Sequence, residues 1–395
     1  MAKVLVLHHN FPAQFKNICE NLAKNGHQVI FLCQTNHSNK IDSVKCIKLG
    51  VPNPSAVGKS NPHITFEPQL KTANQYKKAL INLKRQGYYP DIIISHNGWG
   101  CGLYSKEIYA NAKVISYSEW WFNTQCKEYF YDNNEYISYD SKKIETLFER
   151  NLPMAQEMAV ADHIISPTKW QRDQLPSIFR EKSRIIHDGI DTDYFVYNRQ
   201  WKQSGMTNIT YATRGMEPMR GFPEMIKAIK SILMTREKTT LTIAGEDKIF
   251  YGAKNPIEGS FGKWAKKILK DEINQGKVKF TGRLSLNHYA RLLKISDIHL
   301  YFSRPYIASW SLIEAMSSGC CIIGSDVKPV TEILPQNYLL KTDHRSSKSI
   351  VETINNALDM TEKDREKIGL RNRRRAIDSF SKRKCLSQWT DLLWN

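Results

Sequence analysis

At 395 residues, 41% hydrophobic and 11% aromatic, the chain can fill two hydrophobic cores and is too apolar for global disorder. A formal net charge of +18 asks for anionic partners, but no helix-turn-helix, zinc-finger or RNA-binding aromatic signature accompanies it, so nucleic acid is not an expected partner. Eight cysteines without a CxxC pair exclude a zinc ribbon or disulfide framework and suit reduced thiols in a cytoplasmic protein.

The first predicted element is the apolar strand Val4–Leu7, which makes MAKVLVLHHNFP a strand start rather than a leader. Phe15–Asn25 reads as a helix with Phe15, Ile18 and Leu22 near one face and Gly26 at its end. The strand Gln28–Cys33 follows, then a Pro/Ser/Asn-rich loop over 52–68, a helix over Thr72–Gln86, and the strands Asp91–Ser95 and Ala112–Ser116. Pro153–Ala161 is a helix with proline tolerated in its first turn; His163–Thr168 and Ser183–Ile186 are strands. Short apolar strands alternating with helices imply a parallel, doubly wound sheet. The series restarts with Asn208–Ala212, Pro223–Met234, Thr239–Ala244, Val278–Phe280 and Ile298–Phe302. The expected organisation is therefore a domain over 1–200, a linker at 195–206, a second domain over 206–375, and a terminal segment over 376–395. That segment ends in a helix, Ser381–Trp394, with Leu386, Trp389, Leu392 and Leu393 on one face. No stretch approaches the ~18–20 apolar residues of a membrane span.

Chemistry concentrates at strand ends. ATRGMEPMRGF places Arg214 and Arg220 between a strand and a helix, as permanently charged forks for a diphosphate, with Gly215 and Gly221 leaving room for backbone approach. Gly245 closes another strand, and Gly282–Arg283 a third. SRPYIASWSLIEAMSSG puts Glu314 just inside a helix start whose amide groups, near Ser309, Trp310 and Ser311, suit an anionic ligand. His96 follows the strand DIIIS, where open α/β sheets bind ligands, and either bonds a ligand or packs beside Trp99. Glu119 follows the next strand, with Trp120 and Trp121 either stacking surfaces for a sugar or core.

The run from Tyr306 to Glu314, the two arginines, HDGID at His187–Asp191, and the pair H-x-NFP-x-QF and SPT-x-WQR resemble family-four retaining glycosyltransferases. The resemblance implies the GT-B fold, two Rossmann-like doubly wound parallel-sheet domains facing across a cleft, with the last helix crossing back onto the first. It implies that Arg214 and Arg220 hold the pyrophosphate of a nucleotide-diphosphate sugar, that the backbone at Gly282–Arg283 receives the base, and that Glu314, matching the second glutamate of an E-x7-E motif, holds the ribose. The first glutamate of that motif falls on Tyr306, and the usual Gly-Gly loop after the first strand is replaced by His8–His9. Gly215, Gly245, Tyr306, Ser309, Trp310 and Ser311 complete the expected donor site; Arg214, Arg220, His96 and Glu119 are the catalytic candidates.

The expected reaction moves a sugar to an acceptor hydroxyl with retention, without metal and without a cofactor beyond the nucleotide sugar. The acceptor is a glycan, a lipid-linked or a small molecule. The cluster Arg371, Arg373, Arg374, Arg375, Lys382, Arg383, Lys384 reads as a solvated helix face or a patch for an anionic inner-membrane surface. The alternatives from other classes are a basic nucleic-acid binder and an inert scaffold of the same fold.

Overall fold

The computed structural model of the protein describes residues 1–37, 39–51, 65–130, 136–198, 205–251, 253–256, 258–307 and 309–395. Contacts divide the chain into two compact units: Met1–Cys126, Asp140–Gly189 and Lys382–Asn395 form the first, Lys127–Tyr139 and Ile190–Ser381 the second.

The first unit is built on a seven-stranded sheet. Its strands are β1 (Lys3–Leu7), β2 (Gln28–Cys33), β3 (Val44–Lys48), β4 (Ile92–His96), β5 (Lys113–Tyr117), β6 (His163–Ser166) and β7 (Ser183–Ile185), in the spatial order β3-β2-β1-β4-β5-β6-β7. All pairs are parallel, with Val4 opposite both Val29 and Ile92. Val4, Val6, Phe31 and Ile94 face one hydrophobic cluster and Leu5, Leu7, Leu32 and Ile93 another, so the sheet is buried on both faces as crossover connections require. The edge strand β3 was not visible in the sequence. VKCIK carries two lysines and pairs on one side only, so its apolar signal is weak.

The second unit repeats the plan with β8 (Thr207–Gly215), β9 (Thr239–Glu246), β10 (Val278–Gly282), β11 (Ile298–Tyr301), β12 (Cys321–Ser325) and β13 (Lys341–Thr342), ordered β10-β9-β8-β11-β12-β13, again all parallel. The strand order reverses beside the first strand of each series, the place where open α/β sheets leave a crevice.

The helices show where local signals were overridden. Phe15 lies in a short 3-10 turn and α1 runs Lys16–Lys24. α2 is Glu67–Arg85, so residues 67 and 68 of the expected loop begin a helix, with Pro68 in its first turn; 52–64 lies outside the described residues. α3 (Ser141–Glu149), capped by Asp140, was missed, and α4 spans Asn151–Val160. In the second unit α5 is Phe222–Thr235, α6 Phe261–Ile268, α7 Leu286–Lys294 and α8 Trp310–Ser317.

Three boundaries differ from expectation. The chain passes to the second unit at Ile190, with Phe195 buried in that unit's core, rather than in a linker at 195–206, of which 199–204 lies outside the described residues. Lys127–Tyr139, inside the first domain by sequence, belongs to the second unit. Residues 376–380 finish α9 (Glu362–Phe380) in the second unit, and only α10 (Lys382–Trp394) belongs to the first. There Trp389, Leu392 and Leu393 join the cluster of Ile18, Leu22 and Ile186, and Lys113 Nζ donates to the Leu392 carbonyl at 2.9 Å, which suits a helix C-terminus.

The basic cluster also has a structural explanation. Arg373 NH1 donates to the Phe195 carbonyl at 3.1 Å, Arg371 NH2 to Gln336 O at 2.7 Å, and Arg375 NH2 to Glu332 O at 3.2 Å. Three of its four arginines on α9 thus tie the helix to its own unit's backbone, while Arg371, Arg374, Arg383 and Lys384 remain exposed, as a solvated helix face requires.

Candidate active site

At the carboxyl edge of the second sheet, the ends of β8, β9 and β10 and the start of α8 surround a cavity of about 600 Å³, the size range of small-molecule sites. Arg214, Gly245, Arg283, Ser309, Trp310, Ser311 and Glu314 line it together with Thr213, Glu246, Lys248, Phe250 and Tyr289.

The loops touch because glycine permits it. A Cβ on Gly215 would lie 2.5 Å from the Lys248 carbonyl oxygen and 2.6 Å from the Phe250 ring. Gly245, at φ 147°, would meet the Thr213 carbonyl oxygen at 2.6 Å. Gly215 is therefore behind the cavity wall rather than on it.

Arg220 opens onto a smaller space of about 40 Å³ that shares Ala212, Thr213, Arg214, Ser309 and Ser311 with the larger one. Its NH1 donates to Ser303 Oγ at 3.0 Å. Glu217, fully buried between the two arginines, holds both in place indirectly. Its Oε2 accepts from the amides of Phe250 and Tyr251 at 2.7 and 2.9 Å, and the Arg214 and Arg220 guanidiniums lie over those two rings at 4.0 and 5.5 Å. Sequence reasoning missed Glu217, Lys248 and Phe250. Glutamate between two arginines was the available signal, but its partners lie 33 and 34 residues away.

Ser309 caps α8, its Oγ accepting from Ser311 N at 3.3 Å and its carbonyl from Leu312 N at 3.1 Å, so the positive end of the helix dipole lies where Ser309, Trp310 and Ser311 line the cavity. Burial pushes the Glu314 carboxyl up to about 7, opposed by the Tyr289 hydroxyl. At the rim Glu246 bridges Lys248 Nζ at 2.7 Å and Arg283 NH1 at 3.2 Å. Tyr306 is not among the cavity's lining residues; it packs against Tyr129 and Tyr251.

The first unit gathers a different set at the carboxyl ends of β1, β4 and β5. His96 Nδ1 accepts from the Gly98 amide at 3.2 Å, which leaves Nε2–H to donate to Glu119 Oε2 at 3.3 Å. Gln14 Nε2 donates to Glu119 Oε1 at 2.9 Å and Gln171 Nε2 to the Glu119 carbonyl at 2.5 Å. Desolvation raises the Glu119 carboxyl, but the His96 and Gln14 hydrogen bonds outweigh it and leave the group below its ordinary range. The glutamines of HHNFPAQF and SPTKWQR thus converge on one residue, Gln14 on its carboxylate and Gln171 on its main-chain carbonyl. Beside them His8 packs edge-on to His96 at 4.9 Å and burial keeps it neutral. Trp120 is buried against Trp170, so it is core rather than a stacking surface; Trp121 packs on Phe179. Trp99 is 41% exposed and stacks on His9.

Among the described residues no group of three or more His, Cys, Asp or Glu side chains is placed to hold a metal ion, and no helix is long and apolar enough to cross a membrane.

Comparison with known proteins agrees with this architecture. Residues 25–195 match the model of the glycosyl transferase family 4 group, and 196–375 that of glycosyl transferases group 1. No curated protein matches the sequence significantly. Among solved structures, sucrose-phosphate synthase from Thermosynechococcus elongatus is 16% identical with a TM-score of 0.72, over 99% of this chain and 97% of that one. Anabaena HepE, solved with UDP and glucose, is 12% identical with a TM-score of 0.69, over 100% and 99%. WaaG, a glycosyltransferase involved in lipopolysaccharide biosynthesis, is 15% identical with a TM-score of 0.67, over the whole of both chains. At such identities the structural likeness speaks for the fold alone. With a family-4 and a group-1 model matched in succession over 25–375 on two parallel-sheet domains, the chain is a family-4-like glycosyltransferase of the GT-B fold.

Proposed function

We propose that the protein transfers a hexosyl group from a nucleotide-diphosphate sugar to an acceptor hydroxyl with retention of anomeric configuration. The observation that carries this reading is the second-unit cavity, where Arg214 and Lys248 meet a helix start and the half-buried Glu314 on one wall. Arg214 and Arg220 stabilise the charge that grows on the diphosphate as the C1–O bond to it breaks. The start of α8 adds the positive end of its dipole, and Glu314 accepts from the ribose hydroxyls. The acceptor oxygen bonds to C1 on the face the diphosphate leaves, and its proton passes to the departing phosphate oxygen. No protein nucleophile and no metal are required, because fixed cations meet the phosphates. His96 and Glu119 orient the acceptor, a glycan, lipid-linked or small molecule. The eight free thiols fit a cytoplasmic reaction, and an acceptor at the inner membrane face is compatible with it.

Thermal shift with UDP, GDP and ADP and their common sugars, in excess EDTA, tests the donor reading. A selective upward shift of several degrees for one nucleotide is expected. No shift with any of them, or one restored only by manganese, rejects it.

A further inference from the structure

The second unit contains an element that the sequence assigns to the first. Lys127–Tyr139 leaves the chain between β5 and β6 yet belongs to the second unit by its contacts. Three attachments hold it there: Tyr136 stacks edge-on against Phe261 at 5.1 Å, Lys254 N donates to the Tyr136 carbonyl at 2.9 Å, and Glu128 pairs with Lys328. The segment presents Tyr129 to Tyr306 with ring centroids 5.7 Å apart. Tyr306 meets Tyr251 at 5.5 Å, and the Arg220 guanidinium lies over Tyr251 at 5.5 Å. A continuous row therefore runs from Arg220 to three half-buried tyrosines, with a carboxylate at none of the ring positions.

We infer that Tyr129, Tyr251 and Tyr306 form the surface on which the donor's sugar ring rests, bound through its C–H face, and that Tyr129 is a specificity-determining residue supplied by the inserted segment. The inference rests on the donor reading above. Its physical basis is covalent connectivity: in a nucleotide-diphosphate sugar the hexose hangs from the phosphate farthest from the nucleoside. Whatever adjoins the phosphate-binding arginine therefore adjoins the sugar. Tyrosine rings offer large, rigid apolar faces with a polar tip, suited to the C–H face of a neutral pyranose. A carboxylate would instead read the positions of hydroxyls by charged hydrogen bonds. The predicted donor class is thus a neutral hexopyranose recognised mainly by shape.

The test compares dissociation constants for nucleotide and nucleotide sugar, by calorimetry, in wild type, Tyr129→Ala and Tyr129→Phe. The pairs used are UDP with UDP-glucose, ADP with ADP-glucose, and GDP with GDP-mannose. For the pair that wild type binds, Tyr129→Ala is expected to weaken the sugar nucleotide about tenfold while the free diphosphate binds as before, and Tyr129→Phe to restore the wild-type ratio. Unliganded melting of each variant identifies a folding defect, in which case Tyr251→Leu, read by the same ratio, serves in its place. An unchanged ratio, or equal weakening of both ligands, overturns the sugar-stacking role while leaving the donor reading intact. Binding of no pair by wild type overturns both.

Discussion

Two half-buried carboxylates at the carboxyl edges of the two sheets respond to burial in opposite ways. Glu314, on the second unit's cavity wall, is pushed up to about 7 because desolvation is opposed chiefly by one tyrosine hydroxyl. Glu119, on the first unit, is desolvated too, yet lies below its ordinary range because His96 and Gln14 donate to it. The same sheet architecture thus produces one carboxylate in which desolvation prevails and one in which hydrogen bonds from the protein prevail. The wall around Glu314 carries Arg214, Lys248 and Arg283; His96, Gln14 and Gln171 are each bonded to Glu119 itself. The pairing suits one unit that captures an anionic substrate and another that presents a rigid polar surface.

The strongest test of this contrast is to remove the cation. Arg220→Ala should lower transfer by about 10²–10³-fold, as loss of a preorganised charge stabiliser does, and should abolish the nucleotide-induced thermal shift while the unliganded protein still melts cooperatively. Steady-state rates and thermal shift check it; a variant that keeps the full nucleotide shift would remove the diphosphate from this loop.

A smaller effect is expected at Glu314, and it depends on pH. Ribose hydroxyls donate to the ionised form, so binding draws a proton off the group. UDP-glucose, whose diphosphate is esterified at both ends and does not titrate here, should therefore bind about tenfold more tightly at pH 8 than at pH 6, given a carboxyl near 7. Calorimetry in buffers of different ionisation enthalpy should register proton release. Glu314→Gln should weaken binding by about 1–3 kcal/mol at pH 8 and flatten the pH dependence. A flat wild-type profile would mean that this carboxylate does not meet the ribose.

At Glu119 the expected effect on donor binding is the smallest of all. Glu119→Gln keeps the shape but weakens the charge-assisted bond to His96, and should leave the UDP-glucose dissociation constant within about twofold. Transfer should fall by about tenfold through a raised acceptor KM, the mark of lost positioning. Measuring both constants separately decides it, and a large loss of donor affinity would show that the two carboxylates do not divide the work.

Much of this was legible in the sequence, and the reason is local. Strand and helix alternation shows in runs such as Val4–Leu7 and Ile298–Tyr301, because buried parallel strands are continuously apolar. Arg214, Gly245 and Ser309–Glu314 were identifiable because each sits at the end of such a run, and the fold brings those ends to one cavity. The sequence alone thus determined the strand count in outline, the two-domain plan and the side of the sheet on which the chemistry gathers.

The tertiary structure decided what depends on partners distant in the chain. Glu217 is a site-supporting residue only because the amides of Phe250 and Tyr251 reach it. Glu119 is held by glutamines 105 and 52 residues away along the chain, and no local pattern marks that meeting. Arg373 looks like surface charge until the Phe195 and Ser317 carbonyls are seen to accept from it. Residues 127–139 lie between two strands of the first sheet yet pack with the second unit, because Tyr136 finds Phe261 there and Tyr129 finds Tyr306. Hydrophobic periodicity is a short-range property and survives in sequence; which buried polar group is satisfied, and by whom, is a long-range one that only the packed chain fixes.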